Sequence, residues 1–322
     1  MSSKSSIHLA PAKLNIRLKV VGRRPDGYHE LVSVMVPVGL YDRIELQMTA
    51  GRNVEITCSG ISVPTDEENL AYRAAKAFLS HAGLDHGVSL RLTKNIPVAA
   101  GLGGGSSDAA CVLSALNRLC SFPLSPADME KEALRLGADV PFFLNATPSI
   151  ARGIGEILEP IEAWPRLWYV IIMAPIRVST SWVYGKFAGL SSREQGLELT
   201  TDEYHFIITN LQRKPLRFDH FLENDLERVT ASLFPVINSI KKSLVDAGAE
   251  GALMSGSGPG VFGVFGSKDR ALDAKRHLMS KNLGDIYVVE GVDGVSSSGK
   301  TRAFGARIRR FESSHPSHGG DD

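Results

Sequence analysis

Four glycines in five positions, Gly101 and Gly103–Gly105, stand directly before a helix-forming stretch of this chain. Glycine carries no side chain and accepts a positive φ without strain, so such a run can bend closely around a ligand. From Ala109 to Leu119 the apolar residues recur at helical spacing. Unpaired N–H groups and the positive dipole end make a helix N-terminus an anion site. The run therefore predicts a phosphate site where a helix begins at Ser106.

Two common nucleotide-binding patterns fail at this run. The sixth position of G-x-G-x-x-G, counted from Gly101, is Ser106, and the run lacks the Gly-Lys-Ser/Thr that ends a P-loop. A P-loop pattern does occur at Gly294–Thr301, yet only 21 residues follow it. Because a P-loop domain needs further strands and a metal-binding Asp, we interpret this second pattern as a chance match.

Length and composition indicate a globular protein of two domains. The chain has 322 residues, and single cores rarely exceed about 250–300 residues. A net charge of +1 gives no bulk attraction to nucleic acid, and no stretch approaches the ~18 apolar residues of a membrane span. No signal peptide is recognised, and three widely spaced cysteines favour free thiols. We expect a cytoplasmic protein with neither nucleic-acid nor membrane partners, acting as a monomer or weak homodimer.

Hydrophobic periodicity predicts strands first and mixed elements later. In the N-terminal half, a capping box at Thr65 and Glu68 predicts a helix that ends at Gly83, and Ser125 starts another that ends at Gly137. The segment 190–214 is polar and predicts a loop with a short helix. Predicted strands are 14–20, 36–46, 54–58, 88–93, 168–174, 251–255, 260–265 and 286–289, and predicted later helices are 224–233, 235–247 and 268–281. We expect domains at 1–165 and 166–295 and a loose tail at 296–322.

Alternation along the first strand puts Lys13 and Asn15 on one face. Alternation alone favours a solvated face, whereas the small residues Ala10–Ala12 leave room for a ligand over Lys13. Asp139 follows a predicted helix end, where a simple turn role is the alternative. Phosphoryl transfer needs a carboxylate to position or deprotonate a hydroxyl and a cation beside it, and Lys13 with Asp139 would supply both.

Two further loops have open interpretations. The second glycine turn, Gly256–Gly260, is either a tight connection between strands or a wall of a phosphate or substrate site. Tyr28 and His29 follow the turn Arg23–Gly27, and an aromatic there either stacks on a planar ligand or packs on its own loop.

Three of these motifs, in this order, resemble those of a family of small-molecule kinases. The family includes galactokinase, homoserine kinase, mevalonate kinase and phosphomevalonate kinase, and its initials give the name GHMP. The matching motifs are Ala10–Asn15, Gly101–Ser107 and Gly251–Val264, and the resemblance extends to about Val292. It implies an α+β fold of two domains, an N-terminal α/β domain like that of ribosomal protein S5 and a C-terminal ferredoxin-like domain.

One branch of the family is resembled more closely, through Arg23–His29, Gly137–Phe143 and Ala151–Glu156. This branch phosphorylates the 2-hydroxyl of a methylerythritol that carries a cytidine diphosphate group, a step of non-mevalonate isoprenoid synthesis. The alternatives are a homoserine or phosphomevalonate kinase and a nucleotide sensor without activity. Val98–Ala100 departs from the Met-Gly often found there in the family, which leaves the phosphate-facing glycines intact.

The resemblance also implies roles for single residues, with ATP and Mg²⁺ as cofactors and no metal ligand assigned. Asp139 is the catalytic base, with Lys13 beside it. The predicted ATP-binding residues are Gly101, Gly103, Gly104, Gly105, Ser106, Ser107, Lys94 and Asn69. The predicted substrate-binding residues are Asn15, Tyr28, His29, Thr180 and Tyr184, of which Tyr28, His29 and Tyr184 surround the cytosine and Thr180 lies near the substrate phosphates.

Overall fold

The computed structural model describes residues 5–190, 197–213 and 215–292. The P-loop pattern at Gly294–Thr301 and the tail at 296–322 lie outside these ranges. The strands are β1 (Ser5–Arg23), β2 (His29–Thr49), β3 (Val54–Gly60), β4 (Gly87–Lys94), β5 (Ser149–Gly153), β6 (Ile157–Pro160), β7 (Trp168–Met173), β8 (Glu223–Asn224), β9 (Ala252–Met254), β10 (Gly260–Phe265) and β11 (Asp285–Glu290). The helices are α1 (Leu70–His81), α2 (Gly104–Leu119), α3 (Pro126–Leu136), α4 (Val140–Asn145), α5 (Thr180–Leu190), α6 (Leu197–Gln212), α7 (Phe218–Phe221), α8 (Asp225–Leu233), α9 (Val236–Asp246) and α10 (Lys268–Met279).

The first sheet runs in the order β3-β4-β2-β1-β8, and β5 pairs with β2 and with β6. The long strand β2 pairs with β4 along Arg43–Thr49 and with β5 along Leu31–Met35. Its two halves therefore have different neighbouring strands. One face of this sheet is covered by α1 to α4. Side chains that alternate along the strands, such as Ile44 and Leu46, enter a core with Phe78 of α1 and the apolar face of α2.

The second sheet is antiparallel, in the order β11-β7-β10-β9. Period two along β7 divides its side chains between two cores. Val170 and Ile172 pack against α9 and α10, whereas Tyr169 and Ile171 belong to a cluster that also holds Leu14 of β1. The inner faces of the two sheets therefore share one core. This core holds β1 close to the loop that precedes β10.

Most predicted elements are confirmed, and three local predictions are wrong. Asn69, and not the box at Thr65, caps α1, because its side chain accepts a hydrogen bond from the N–H of Ala71. Helix α2 begins at Gly104 instead of Ser106, because Gly103 takes the left-handed conformation that starts it. Of the two interpretations of the Lys13 face, the structure excludes the solvated one, because Lys13 is buried.

The third wrong prediction is that of a loop with a short helix at 190–214. Helix α6 fills 16 residues of that segment, with Ile207 fully buried and Phe206 and Leu211 against the shared core. The interrupted apolar stripe hides this helix in the sequence. The domain limits at 165 and 295 stay a prediction: β7 opens the second sheet, yet β8 returns to pair with β1 in the first. Within the described ranges, no helix is long and apolar enough to span a membrane.

Replacing Phe262 tests the shared core. Phe262 is fully buried, and its ring meets that of Tyr169 at a centroid distance of 6.1 Å. We expect Phe262→Ala to lower the free energy of unfolding by about 3–5 kcal/mol, because it removes apolar contacts and leaves a cavity. Val245→Ala on α9, where the side chain is 51% exposed, is the control and should cost less than about 0.5 kcal/mol. Equal losses in urea denaturation would contradict the shared core.

Candidate active site

A cleft of about 1260 Å³ opens where the loops of the two sheets meet. Sites for one small ligand usually measure about 300–1,000 Å³, so this main cleft has room for two ligands side by side. Its walls include the glycine run, the second glycine turn and the start of α5. The predicted site residues that line it are Lys13, Asn15, Tyr28, His29, Asn69, Lys94, Gly101, Gly103, Gly104, Gly105, Ser106, Asp139, Thr180 and Tyr184.

The glycine run ends in the exposed N-terminus of α2. The first hydrogen bond of the helix runs from the N–H of Ser107 to the carbonyl of Gly103, at 2.9 Å. The N–H groups of Gly104, Gly105 and Ser106 precede that bond and have no acceptor within the helix. Since no side chain among the described residues caps α2, these donors face the cleft as an anion site.

The second glycine turn packs directly against the first. The hydroxyl of Ser255 donates to the carbonyl of Gly101 at 2.9 Å and accepts from the N–H of Asn15 at 3.1 Å. Gly101 has φ +72°, and a β-carbon there would overlap the carbonyl oxygen of Ser255. The N–H of Gly260 also donates to the carbonyl of Ala100 at 3.2 Å. The close approach requires glycine at position 101 and joins the two sheets at the cleft.

Lys13 and Asp139 form an ion pair on the floor of the cleft, with 3.5 Å between Nζ and Oδ2. The Lys13 side chain is 5% exposed and that of Asp139 is 38% exposed. Asp139 precedes α4, but its carboxylate makes no capping hydrogen bond to that helix. The Nζ of Lys13 also contacts Oδ1 of Asn15. The carboxylate is therefore held by a buried cation while remaining open to a ligand.

A second lysine lies in a different environment. Lys94 is buried and pairs with the carboxylates of Asp42 and Asp108, the latter at 2.7 Å. Burial raises the pKa of Asp108 well above its usual range, and the charge of Lys94 opposes that rise. Asp42 also accepts hydrogen bonds from the N–H groups of Asn95 and Ile96. This cluster fixes the end of β4 against the start of α2, and no sequence pattern indicated Asp42 or Asp108.

At the other end of the cleft, the structure brings four predicted residues together. The rings of His29 and Tyr184 stack with centroids 5.1 Å apart, and Tyr28 beside them is 59% exposed. Burial lowers the pKa of His29, and the charge of Arg23 lowers it further, so both favour the neutral imidazole. The hydroxyl of Thr180 is 2.8 Å from that of Ser257.

Asn69 and Ser107, two predicted nucleotide-binding residues, lie in surroundings that differ from those of the glycine run. The Asn69 amide caps α1 and donates to the carbonyl of Pro64 at 2.8 Å, although the residue lines the cleft. Ser107 faces away from the main cleft and lines a smaller cavity behind α2. Its N–H is already used within the helix.

Both halves of the chain match known family models. Residues 69–146 match the model described as GHMP kinases N terminal domain, and residues 208–284 match GHMP kinases C terminal. The chain belongs to the GHMP family of small-molecule kinases. A crystal structure of homoserine kinase from Cytophaga hutchinsonii shares the fold, with a TM-score of 0.71 at 21% identity over 91% of this chain and 96% of that one.

More similar relatives define the branch. The 4-diphosphocytidyl-2-C-methyl-D-erythritol kinase of Syntrophotalea carbinolica is 45% identical over 285 residues, which cover 88% of this chain and 98% of the relative. That of Geobacter metallireducens is 46% identical over 286 residues, covering 89% and 98%. A crystal structure of 4-(cytidine 5'-diphospho)-2C-methyl-D-erythritol kinase has a TM-score of 0.73 at 36% identity, covering 89% and 99%. Within the GHMP family, the chain is therefore similar over most of its length to relatives of this one branch.

Substituting Gly101 tests the contact between the two glycine loops. Gly101→Ala should lower the free energy of unfolding by about 1–3 kcal/mol, because φ is positive and the β-carbon meets backbone. It should also weaken ADP binding, measured by calorimetry, since the loop must shift. The control is Gly39→Ala, where a β-carbon would lie 3.5 Å from the carbonyl oxygen of Glu290. ADP affinity unchanged in Gly101→Ala would contradict the role of this contact.

Proposed function

We propose that this protein transfers the γ-phosphoryl group of ATP to the 2-hydroxyl of 4-diphosphocytidyl-2-C-methyl-D-erythritol, the alcohol named by its relatives. One observation carries the proposal: the pair Lys13–Asp139 lies between the anion site and the aromatic end of a single cleft. A β-carbon on Gly103 would lie 3.1 Å from Cγ of Lys13. At the other side, Tyr184 lines the same cleft as Asp139, and burial and the charge of Asp139 both raise the pKa of Tyr184.

ATP occupies the half of the cleft formed by the glycine run. Its phosphates accept hydrogen bonds from the free N–H groups of Gly104, Gly105 and Ser106, which the dipole of α2 reinforces. The apolar wall beside this site suits a nucleoside and is formed by Val63, Pro64, Leu70 and Leu92. Asn69 and Lys94 support that wall through α1 and β4, and we infer no direct hydrogen bond from Asn69 to the nucleotide.

The cytidine diphosphate group occupies the other half. Tyr28 is exposed at the rim, where its ring can stack on a base. The Nε2 atom of His29 is buried without a partner among the described residues, so it is available to the edge of a base. Tyr184 bounds this half behind His29, and Thr180 lies toward the diphosphate.

The chemistry follows from the Lys13–Asp139 pair. Asp139 accepts the proton of the 2-hydroxyl as its oxygen attacks the γ-phosphorus; the bond to the β,γ-bridging oxygen breaks, and ADP leaves. Lys13 keeps the carboxylate oriented and balances the negative charge that collects around the transferred group. Asn15 holds Lys13 in turn, through its Oδ1 atom.

One carboxylate in the main cleft suits a bound Mg²⁺ ion. Mg²⁺ in phosphoryl-transfer sites takes one or two carboxylates and otherwise binds substrate phosphates and water. Asp108 lines the cleft, and its Oδ1 atom is buried without a partner among the described residues. Asp108, with the hydroxyl of Ser106, would hold the ion, which would neutralise charge on the ATP phosphates.

The decisive test is a coupled ADP-release assay with three acceptors. The cytidyl alcohol should support turnover, whereas homoserine and phosphomevalonate should not, because neither offers a base to Tyr28 and His29. Turnover on homoserine or phosphomevalonate alone would replace the proposal by that activity. ADP binding without turnover on any acceptor would indicate a nucleotide sensor.

Removing the charge of Asp139 tests its role as the base. Asp139→Asn should keep ADP affinity within about twofold and lower kcat at least ~10²-fold, the usual size of a general-base contribution. The matched control is Asp246→Asn, an exposed carboxylate on α9 that pairs with Lys242. Near-normal kcat in Asp139→Asn would reject this residue as the base.

Removing the ring of Tyr28 tests the cytosine stack. Tyr28→Ala should raise KM for the cytidyl alcohol by an amount that corresponds to about 1–3 kcal/mol and leave KM for ATP unchanged. Tyr28→Phe keeps the stacking surface and should behave like the wild type. An unchanged KM for the alcohol in Tyr28→Ala would exclude Tyr28 from the substrate site.

A further inference from the structure

Strand β1 departs from regular alternation where it passes the floor of the main cleft. Lys13, Asn15 and Leu18 all line this cleft, although Asn15 and Leu18 are three residues apart. Side chains of a regular strand share a face only at every second residue. The pairing with β2 explains the difference, because its register shifts between Asn15 and Arg17, where Ile16 is an extra residue. Such β-bulges are frequent next to active sites, since they change the direction of a side chain.

At the bulge, Ser33 of β2 contacts Asn15. Ser33 pairs in register with Leu18, three residues further along β1, yet its Oγ atom accepts a hydrogen bond from Nδ2 of Asn15 at 2.9 Å. The same hydroxyl donates to the carbonyl of Arg17 at 2.7 Å. Ser33 lines the main cleft and is 2% exposed. The proposed function assigns no role to this side chain.

The two hydrogen bonds of Ser33 fix the orientation of the Asn15 amide. A serine hydroxyl has one proton, and here the carbonyl of Arg17 accepts it. The Oγ atom of Ser33 is therefore left as an acceptor for Asn15. Because the NH₂ group is the donor side of an amide, Asn15 turns that group toward Ser33 and its oxygen away from it.

The oxygen of Asn15 accepts from Lys13. Nζ of Lys13 donates to Oδ1 of Asn15 and also pairs with Oδ2 of Asp139, at 3.5 Å. An ammonium group carries three donors on a flexible four-carbon stem, so a fixed acceptor is needed to place it. An amide turned the other way would set its NH₂ group against the ammonium, donor against donor. With one donor on Asn15 and one directed at Asp139, the third is left for the transferred phosphoryl group.

We propose that Ser33 is a positioning residue for phosphoryl transfer, which orients the amide of Asn15 so that Asn15 holds the ammonium of Lys13 beside Asp139. The inference rests on the proposed function, because it takes Lys13 and Asp139 as the pair that acts on the hydroxyl. Ser33 acts through Asn15, since both of its hydrogen bonds are made within the protein. Among the described residues, Ser33 is the only acceptor for Nδ2 of Asn15, so loss of the hydroxyl frees the amide to turn.

Hydrogen exchange of the Asn15 side chain tests the first step without any substrate. Its Nδ2 protons are identified in NMR spectra of the amide groups by their loss in Asn15→Ala. In the wild-type protein they should exchange at least about tenfold more slowly than those of the exposed Asn53. Ser33→Ala should speed their exchange about fivefold or more, as expected for the loss of one hydrogen bond. The internal control is Nδ2 of Asn117, which donates to the carbonyl of Leu124 at 3.1 Å and should stay protected.

Unprotected Nδ2 protons of Asn15 in the wild-type protein would overturn the proposal, and this result needs no variant of Ser33. Protection that is unchanged in Ser33→Ala would overturn it as well.

Kinetics test the second step, with the acceptor that the ADP-release assay identifies. Ser33→Ala should lower kcat about 10- to 100-fold, because Lys13 is displaced from the reacting groups. The dissociation constant of ADP should stay within about twofold, because the glycine run is unchanged. Ser33→Thr keeps the hydroxyl and should restore kcat to within about threefold of the wild type. The matched control is Ser149→Ala, which removes a buried hydroxyl of the same sheet that donates to the carbonyl of Thr147, and its kcat should stay within about twofold.

A normal kcat in Ser33→Ala would overturn the proposal. So would a Ser33→Thr variant that melts like the wild type and is as slow as Ser33→Ala, because the hydroxyl would then not be the group that matters.

A double variant tests whether Ser33 acts through Asn15. Asn15→Ala removes both the oxygen that holds Lys13 and the amide that Ser33 orients. Adding Ser33→Ala to it should therefore lower kcat by no more than about a further twofold. Losses that multiply would show that Ser33 acts outside this chain of hydrogen bonds and would overturn the proposal.

The failure of this inference differs from the failure of the proposed function. A wild-type protein that turns over homoserine alone would contradict the proposed substrate and leave the test of Ser33 intact, because that test concerns Lys13 and not the base. A wild-type protein that turns over none of the three acceptors would contradict the proposed function, and with it the role of Ser33 in transfer. An active wild type with a normal kcat in Ser33→Ala would contradict the role of Ser33 alone.

Discussion

The backbone contact between Gly101 and Ser255 joins the two sheets of this protein at its active site. The first sheet contributes the glycine run and the start of α2, and the second contributes the turn after β9. The hydroxyl of Ser255 also fixes the N–H of Asn15, while the N–H of Lys13 donates to the carbonyl of Leu102 at 2.9 Å. Strand β1, which carries Lys13, is thereby hydrogen-bonded to both loops. The anion site and the charge of Lys13 are therefore held in fixed positions relative to each other.

Lys13 and Lys94 are both buried, but their surroundings give them different roles. Lys94 lies between two carboxylates that are themselves buried. Its ion pairs with them hold β4 against α2. Removing such a cation leaves uncompensated charge, and the residue therefore acts mainly through the fold. Lys13 meets a single, partly exposed carboxylate beside the glycine run. That arrangement leaves Asp139 open to a hydroxyl, which is the geometry that a phosphoryl transferase needs.

The local motifs of this site were easier to predict from the sequence than the contacts between segments that lie far apart in the chain. The glycine run, the helix after it and the turn at Tyr28 follow from residue type and spacing, since glycine and helix periodicity act over a few residues. Asp42 reaches Lys94 only through pairing of β2 with β4, which no local pattern encodes. The length of helix α6 was underestimated, because its apolar stripe is short and is explained only by packing against the shared core. Ser107 was assigned to the nucleotide from its place in the motif, and this role stays a prediction, since the structure places the residue in the wall of the smaller cavity.

We propose that one cleft brings ATP and a hydroxyl of a cytidine-diphosphate alcohol together across the Lys13–Asp139 pair. Phosphorus NMR of a reaction with stoichiometric ATP tests it most directly, because it identifies every phosphorus atom after transfer. We expect ADP and a new phosphomonoester on the alcohol in equal amounts, with the diphosphate bridge of the cytidyl group intact. Inorganic phosphate as the only new product, or a phosphoryl group added to the cytidine diphosphate instead of the alcohol, would contradict it.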